Sequence, residues 1–257
     1  NSQELNKYKQ NGFIGVYWWS HAVIARDWFR YAEHDQSLKP NFNNVTKDFL
    51  IYNRAWKGTR EYRLKFVELL QDNKLIDCCQ TTFAVKDSGQ HYKTHQFLNS
   101  DLSIREQSNF ETLFLNNTAD ATASADYNAS DYKTIAIEVV LETLFDDQRQ
   151  QLTEKILRPI ACNQPFILAS TPGSLKYLRS YGFQTFDRWV DESYDSETDD
   201  YLRIEKITAE LKRLCNLGHT ELQIMHQEMQ SVLEHNFHHF YGNFKHQIID
   251  ELVDNFE

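Results

Sequence analysis

The chain is poor in the residues that interrupt regular structure, with 8 Gly and 4 Pro in 257 positions. That excludes a flexible linker or a low-complexity tract. It also lacks a surplus of positive charge. Lys and Arg number 27 against 37 Asp and Glu, for a net charge of −10. A surface built to grip phosphate backbones is basic, so the balance argues against general nucleic-acid affinity. A local basic groove, or two or three cations around a nucleotide-sized anion, remains compatible with it. No run of about 18 apolar residues occurs and no secretory leader is visible, so no membrane span is indicated. No C-x-x-C occurs either. The four cysteines are Cys78, Cys79, Cys162 and Cys215. They suggest no zinc ribbon, and reduced thiols in a cytosolic protein are expected. The first residue is Asn1 rather than Met, so the chain is expected to be trimmed, with an N-terminal portion missing.

What is present is an ordinary globular balance, 41% hydrophobic and 25% charged, with aromatics high at 14%. The length suffices for one large core or two modest lobes. Residues 13–18 read as a short buried strand. Residues 21–35 read as a helix with Val23, Ile24, Trp28 and Tyr31 as its apolar stripe. Residues 39–44 read as a loop. Residues 47–53 read as a strand and residues 60–73 as a helix with Leu64, Val67 and Leu70 apolar, Thr59 being a candidate cap. Residues 74–83 read as the next strand, which completes a βαβ unit. Residues 86–133 are polar, with a loop at 119–132. Then come a β-branched strand at 133–143, a helix over 146–161, a strand at 164–170, and a turn with a short helix ending at Gly182. A short extended stretch (183–186) follows, and from residue 199 onward the chain is mostly helical. Alternating strands and helices predict an α/β fold with a mainly parallel, Rossmann-like sheet.

Two stretches carry candidate chemistry. "NRAWKGTREYR" (53–63) follows a strand, where α/β proteins bind ligands. It holds Arg54, Lys57, Arg60 and Arg63, and cations at a helix start oppose the helix dipole unless they serve a ligand. Arg suits phosphate. "TEKILRPIA" (153–161) opens a helix after another strand. Its free N–H groups and Lys155 suit a phosphate, and Glu154 suits ribose hydroxyls. Spacing alone also fits a surface ion pair with Thr153 as a plain N-cap. In "WWSHAVIARDWFRYAEHD" (18–35), His21, Asp27 and Glu33 are candidate bases, and Trp18 and Trp19 could stack on a sugar or sit in the core. The acidic run 191–200 fits a capping loop better than a cation site. The i,i+4 pairs His91/His95 and His235/His239 have metal-ligand spacing but fit amphipathic surface positions better. "HNFHHFYGNF" (235–244) could bury aromatic rings against a partner copy.

"FLIYNRAWKGTREYRLKFVELLQDNKLIDC", "VVLETLFDDQRQQLTEKILRPIACNQPFILAS" and "LKYLRSYGFQTF" resemble the donor-binding half of GT-B glycosyltransferases. The similarity is to the α1,3-fucosyltransferase family and to related glycosyltransferase-like proteins of phages. It covers roughly residues 49–195. The resemblance implies a metal-independent glycosyltransferase using a nucleotide-sugar donor as substrate and no cofactor. It implies Arg63, with Arg60 as runner-up, and Lys155 on the diphosphate. Glu154 would lie on the ribose, and Glu142, Thr153 and Asn53 in the donor site. Leu141-Glu142-Thr143 stands where the family has Phe-Glu-Asn. The family's general base lies in an acceptor lobe for which only about 45 residues precede the donor half. The expected organisation is an N-terminal segment at 1–45, a nucleotide-sugar-binding domain at 46–198 and C-terminal helices at 199–257. The acceptor would be a glycan or a modified DNA base, in the cytoplasm of a bacterial or phage-infected cell. A non-catalytic nucleotide- or glycan-binding module, or a structural subunit, is the alternative. The C-terminal helices could make a homo-oligomer.

Overall fold

A computed structural model describes residues 3–16, 18–38, 45–111 and 126–256. The expected loop at 39–44 and part of that at 119–132 lie outside the described residues. The elements are α1 (Gln3–Gln10), α2 (Ser20–Trp28), β1 (Lys47–Asn53), α3 (Tyr62–Asp72), β2 (Cys79–Phe83) and a small hairpin of β3 (Lys86–Asp87) and β4 (Gln90–His91). They continue with α4 (Ala129–Tyr132), β5 (Ile135–Leu141), α5 (Glu154–Ala161), β6 (Phe166–Ala169) and α6 (Ser174–Ser180). Four helices close the chain: α7 (Asp200–Cys215), α8 (His219–Glu228), α9 (Gln230–Tyr241) and α10 (Phe244–Asp254).

Four strands form one parallel sheet in the order β2-β1-β5-β6. The fold is therefore α/β. β5 is buried at every position and β1 nearly so, as strands covered on both faces must be. From β1 the chain crosses outward through α3 to β2. From β5 it crosses outward the other way through α5 to β6. Right-handed crossovers in opposite directions put α3 and α5 on opposite faces of the sheet. Accordingly α3 meets α7, whereas α5 meets α2 and α9. The β1/β5 boundary is thus the topological switch point, and its carboxyl end is where such sheets bind ligands. One apolar core runs from Trp19 through the sheet to Ile248.

Several local expectations are corrected. Residues 13–16 and 18 form no strand, and Phe13 and Ile14 are 64% and 82% exposed. No neighbouring strand pairs with them among the described residues, and an apolar run without a partner has no ladder to join. The helix expected at 21–35 stops at Trp28 and buries Ala22 and Ala25, while Val23, Ile24 and Tyr31 face out. Thr59 caps nothing, because a 3₁₀ turn (Gly58–Arg60) leads into α3 instead. Helix α5 starts eight residues later than expected, after the Thr153 N-cap. The β6–α6 turn depends on Gly173, whose φ of 80° favours glycine and whose N–H donates to Asp195 O at 2.7 Å.

The four-thiol expectation is also corrected. Cys78 and Cys215 are joined by a disulfide across 137 residues, their Cα atoms 6.5 Å apart, while Cys79 and Cys162 are free and buried. Helix α7 ends beside the 3₁₀ turn (Ile76–Cys78) that leads into β2, a juxtaposition that sequence spacing does not display. No described helix is long and apolar enough to cross a membrane.

His226, on the core side of α8, carries a pH dependence. Burial pushes its imidazole down from the ordinary 6.5 to about 4, and its Nδ1 lies 3.1 Å from the Gln230 amide nitrogen. A lowered imidazole pKa contributes stability above the unfolded value, which is lost as pH falls from 6.5 towards 4. The full effect is about 3 kcal/mol, of which about 2 kcal/mol goes between pH ~7 and pH ~5. Urea denaturation at the two pH values should show that drop, and His226→Gln should flatten it. Equal slopes in both proteins would refute the assignment.

Candidate functional site: a cationic pocket at the switch point

A cavity of about 110 Å³ opens where β1 ends and α5 begins, lined by Tyr52, Arg54, Ala55, Arg60, Arg63, Lys155 and Arg158. Five of the seven are cations, and no carboxylate lines it among the described residues. Pockets that enclose a whole small molecule run to about 300–1,000 Å³. This one suits a compact anion, or the anionic part of a larger ligand.

The loop that carries Arg54 and Arg60 is pinned from below. Trp56 is fully buried and its Nε1 donates to Ala84 O at 2.7 Å. The backbone N–H groups of Trp56 and Lys57 both donate to Asp87 Oδ2 at 2.8 Å. Burial, and then the neighbouring charges of Arg63 and Arg54, push the Arg60 guanidinium below its ordinary range, with Asp87 opposing. The cations therefore repel one another across the pocket, and a bound anion would relieve that.

The sequence candidates divide. Arg60, Arg63 and Lys155 line the cavity together. Arg63 is also tied into the fold: Nη1 donates to Ala55 O at 2.8 Å, and Nη2 to Leu141 O at 2.5 Å and Glu142 O at 3.0 Å. Its buried Nε has no hydrogen-bond partner among the described residues. Lys155 Nζ sits 2.8 Å from Glu154 Oε1 and 3.1 Å from Thr153 Oγ1. Burial raises the Glu154 carboxyl, but Lys155 outweighs it and holds the group below its ordinary range.

Glu142 and Thr153 bind each other behind the pocket. The fully buried carboxylate of Glu142 accepts from Thr153 N at 3.0 Å, Thr153 Oγ1 at 2.6 Å and Thr143 N at 3.1 Å. This clamps the end of β5 to the start of α5, and so fixes Lys155 relative to β1. Asn53 is fully buried at the end of β1; its Nδ2 lies 3.4 Å from Arg63 O, and its Oδ1 is without a partner among the described residues.

Among the candidate bases, His21 alone approaches the site, with Nε2 3.9 Å from Glu154 Oε2. Asp27 pairs with Arg30 at 2.9 Å on the surface. Glu33 faces a different cavity, with Asp35, Cys162 and His238. Trp19 is packed against Tyr181 and Phe244, and Trp18 Nε1 donates to Ile248 O at 2.7 Å, so both rings serve packing. Arg158 and Tyr52 were not singled out from the sequence. Arg158 lies one turn after Lys155 on the same face of α5, an i+3 signal that could have found it.

The other motifs have structural partners. His91 and His95 contact Glu111 and Glu61 at 2.8 and 3.0 Å. His235 and His239 contact the carbonyls of Gly182 and Tyr181 at 2.8 and 2.6 Å. Asp195 accepts from the first turn of α6, and Asp199 caps α7. Phe240 and Phe244 are buried in the protomer's own core. Compared with protein-family models, with curated proteins and with solved structures, the chain matches none.

Proposed function

We propose that the chain is a glycosyltransferase of the GT-B donor-binding type, holding the diphosphate of a nucleotide sugar in the cationic pocket. The observation that carries this reading is the group of five cations at the carboxyl end of β1 and the start of α5. That is where an α/β sheet presents ligand loops and a helix N-terminus. The cavity takes the diphosphate alone, with the nucleoside and sugar extending out of it.

The acceptor hydroxyl, of a glycan or a modified DNA base, attacks the anomeric carbon. The bond from that carbon to the diphosphate oxygen breaks, and the electron pair stays on the diphosphate. Arg54, Arg60 and Lys155 neutralise the charge that develops there, a preorganised electrostatic effect. The hydroxyl proton passes to His21, which Glu154 orients. No protein-held metal is required. A cytoplasmic site of action was expected from reduced thiols, and the Cys78–Cys215 disulfide withdraws that support.

One observation favours a non-catalytic anion- or nucleotide-binding module instead: no carboxylate or histidine lines the cavity among the described residues. Calorimetry with GDP-, UDP-, ADP- and CMP-sugars, followed by a donor-hydrolysis assay, separates the readings. One nucleotide sugar should bind and be slowly hydrolysed by the wild type, and Lys155→Ala should weaken its binding at least about tenfold, the equivalent of one charged hydrogen bond. Binding without hydrolysis or transfer would favour the module. No binding up to millimolar concentration would sink the donor site.

A further inference from the structure

At the amino end of the strands, opposite the pocket, lies a second cluster. Asp48 is the second residue of β1, and the pocket residue Tyr52 is four positions on, about 13 Å away at the rise of a strand. Asp48, Cys78 and Cys215 each offer a ligand atom, and these atoms all lie within 4.8 Å of one another. Asp48 is more than nine-tenths buried, and its Oδ1 has no hydrogen-bond partner among the described residues. His219, the first residue of α8, stands 3.9 Å away from that same oxygen with Nε2. Cys215 ends α7 and His219 opens α8, a C-x₃-H spacing across one tight turn.

We infer that Cys78, Cys215, Asp48 and His219 form a zinc-type divalent cation site when the disulfide is reduced. A buried carboxylate oxygen without a partner is costly unless something charged or proton-donating meets it. Here it points at the disulfide and an exposed imidazole. Two thiolates, one imidazole and one carboxylate make four ligands of the type zinc takes. The thiolates select it over magnesium or calcium. Tetrahedral bonds of about 2.3 Å to sulfur place the two sulfurs about 3.8 Å apart, and bonds of about 2.0–2.2 Å to nitrogen and oxygen place those atoms about 3.4 Å apart. The ligand atoms of Asp48, Cys78 and Cys215 already lie within 4.8 Å of one another, and His219 Nε2 lies 3.9 Å from Asp48 Oδ1.

The chemistry balances with one external dithiol. It transfers two electrons and two protons to the Cys78–Cys215 bond and becomes a disulfide itself. The cation then displaces the two thiol protons to solvent. The covalent link between the turn before β2 and the end of α7 is thereby replaced by a coordinate one, which also recruits β1 and α8. The site does not depend on the nucleotide-sugar reading.

The test uses the full chain, reduced anaerobically with a dithiol, desalted, and titrated with Co²⁺ and then with competing Zn²⁺. The reduced wild type should take one Co²⁺ with the absorbance of thiolate-to-cobalt charge transfer, while the oxidised protein should take none. Cys78→Ser/Cys215→Ser, which keeps Cys79 and Cys162, should lose that absorbance. Asp48→Asn and His219→Ala leave the disulfide intact for purification, and after reduction each should weaken binding at least about tenfold, the loss that even outer-shell changes cause. Circular dichroism on every sample checks the fold. The inference is overturned if reduced wild type binds no better than the double serine variant, or if Asp48→Asn and His219→Ala both bind as wild type does. It is equally overturned if reduction unfolds the chain and zinc does not restore it.

Discussion

Replacing Glu138 by Ala should cost about 3–5 kcal/mol of stability, the penalty for stranding one partner of a buried ion pair. Glu138 is fully buried in β5 and Arg158 in α5 is 4% exposed, their side chains meeting at 2.5 Å. The Tyr132 hydroxyl donates to the second carboxylate oxygen at 2.6 Å, and the guanidinium lies 4.3 Å over the Tyr52 ring. Burial opposes the charge on Arg158, yet Glu138 wins and raises its pKa. Without Glu138 the guanidinium loses the carboxylate that offsets its burial. For a chain of this size the loss corresponds to roughly 6–20 °C in melting temperature. Arg158→Met should cost a similar amount for the converse reason. The apolar pair Glu138→Leu/Arg158→Met should recover most of the loss, since a buried ion pair contributes little against well-packed hydrophobes. Urea denaturation of the two single variants and the double variant tests this. Single variants within about 1 kcal/mol of wild type would mean that water reaches the pair.

The pair also shows what was legible in the sequence. The β-branched run at 133–143 announced a buried strand, and the run at 47–53 matched β1 to the residue. Cation density at 54–63 singled out a stretch whose Arg54, Arg60 and Arg63 line the cavity, because charges opposing a helix dipole call for a reason. Arg158 was not singled out, since its partner lies on another element 20 residues earlier. The disulfide was hidden likewise, its two cysteines brought together only by the packing of α7 beside the 3₁₀ turn. The stripe in α2 was misread because size was taken for burial. Ala22 and Ala25 fit against the close-packed α5 and α10, so Val23 and Ile24 are left outside. Periodicity finds a helix, but tertiary contact chooses its face. At the site, residue types were legible and roles were not. Arg63 reads as a ligand residue, whereas three of its hydrogen bonds go to backbone carbonyls.

That difference in role makes the second large prediction. Arg60→Ala should weaken binding of inorganic pyrophosphate or a nucleoside diphosphate about 10–100-fold, matching the about 1.5–3 kcal/mol of a hydrogen bond to a charged group. It should leave the melting temperature unchanged or raised, because it removes a half-buried cation that its neighbours Arg63 and Arg54 repel. Lys155→Ala should weaken binding by a similar factor. The double variant should fall short of the product of the two, since both cations answer to one anion. Added salt should weaken binding in the wild type more than in either variant, because fewer charges remain to be screened. Arg63→Met should behave differently. It removes this donor from the buried carbonyl of Leu141, while Glu142 O keeps the Tyr62 hydroxyl at 2.7 Å, and an unsatisfied buried group costs about 1–3 kcal/mol. Stability should therefore fall along with affinity. Calorimetric affinities read beside melting curves for the three variants separate the roles. If Arg60→Ala loses stability and keeps affinity while Arg63→Met does the reverse, the anion is gripped by Arg63, and the carbonyl contacts of its guanidinium are dispensable.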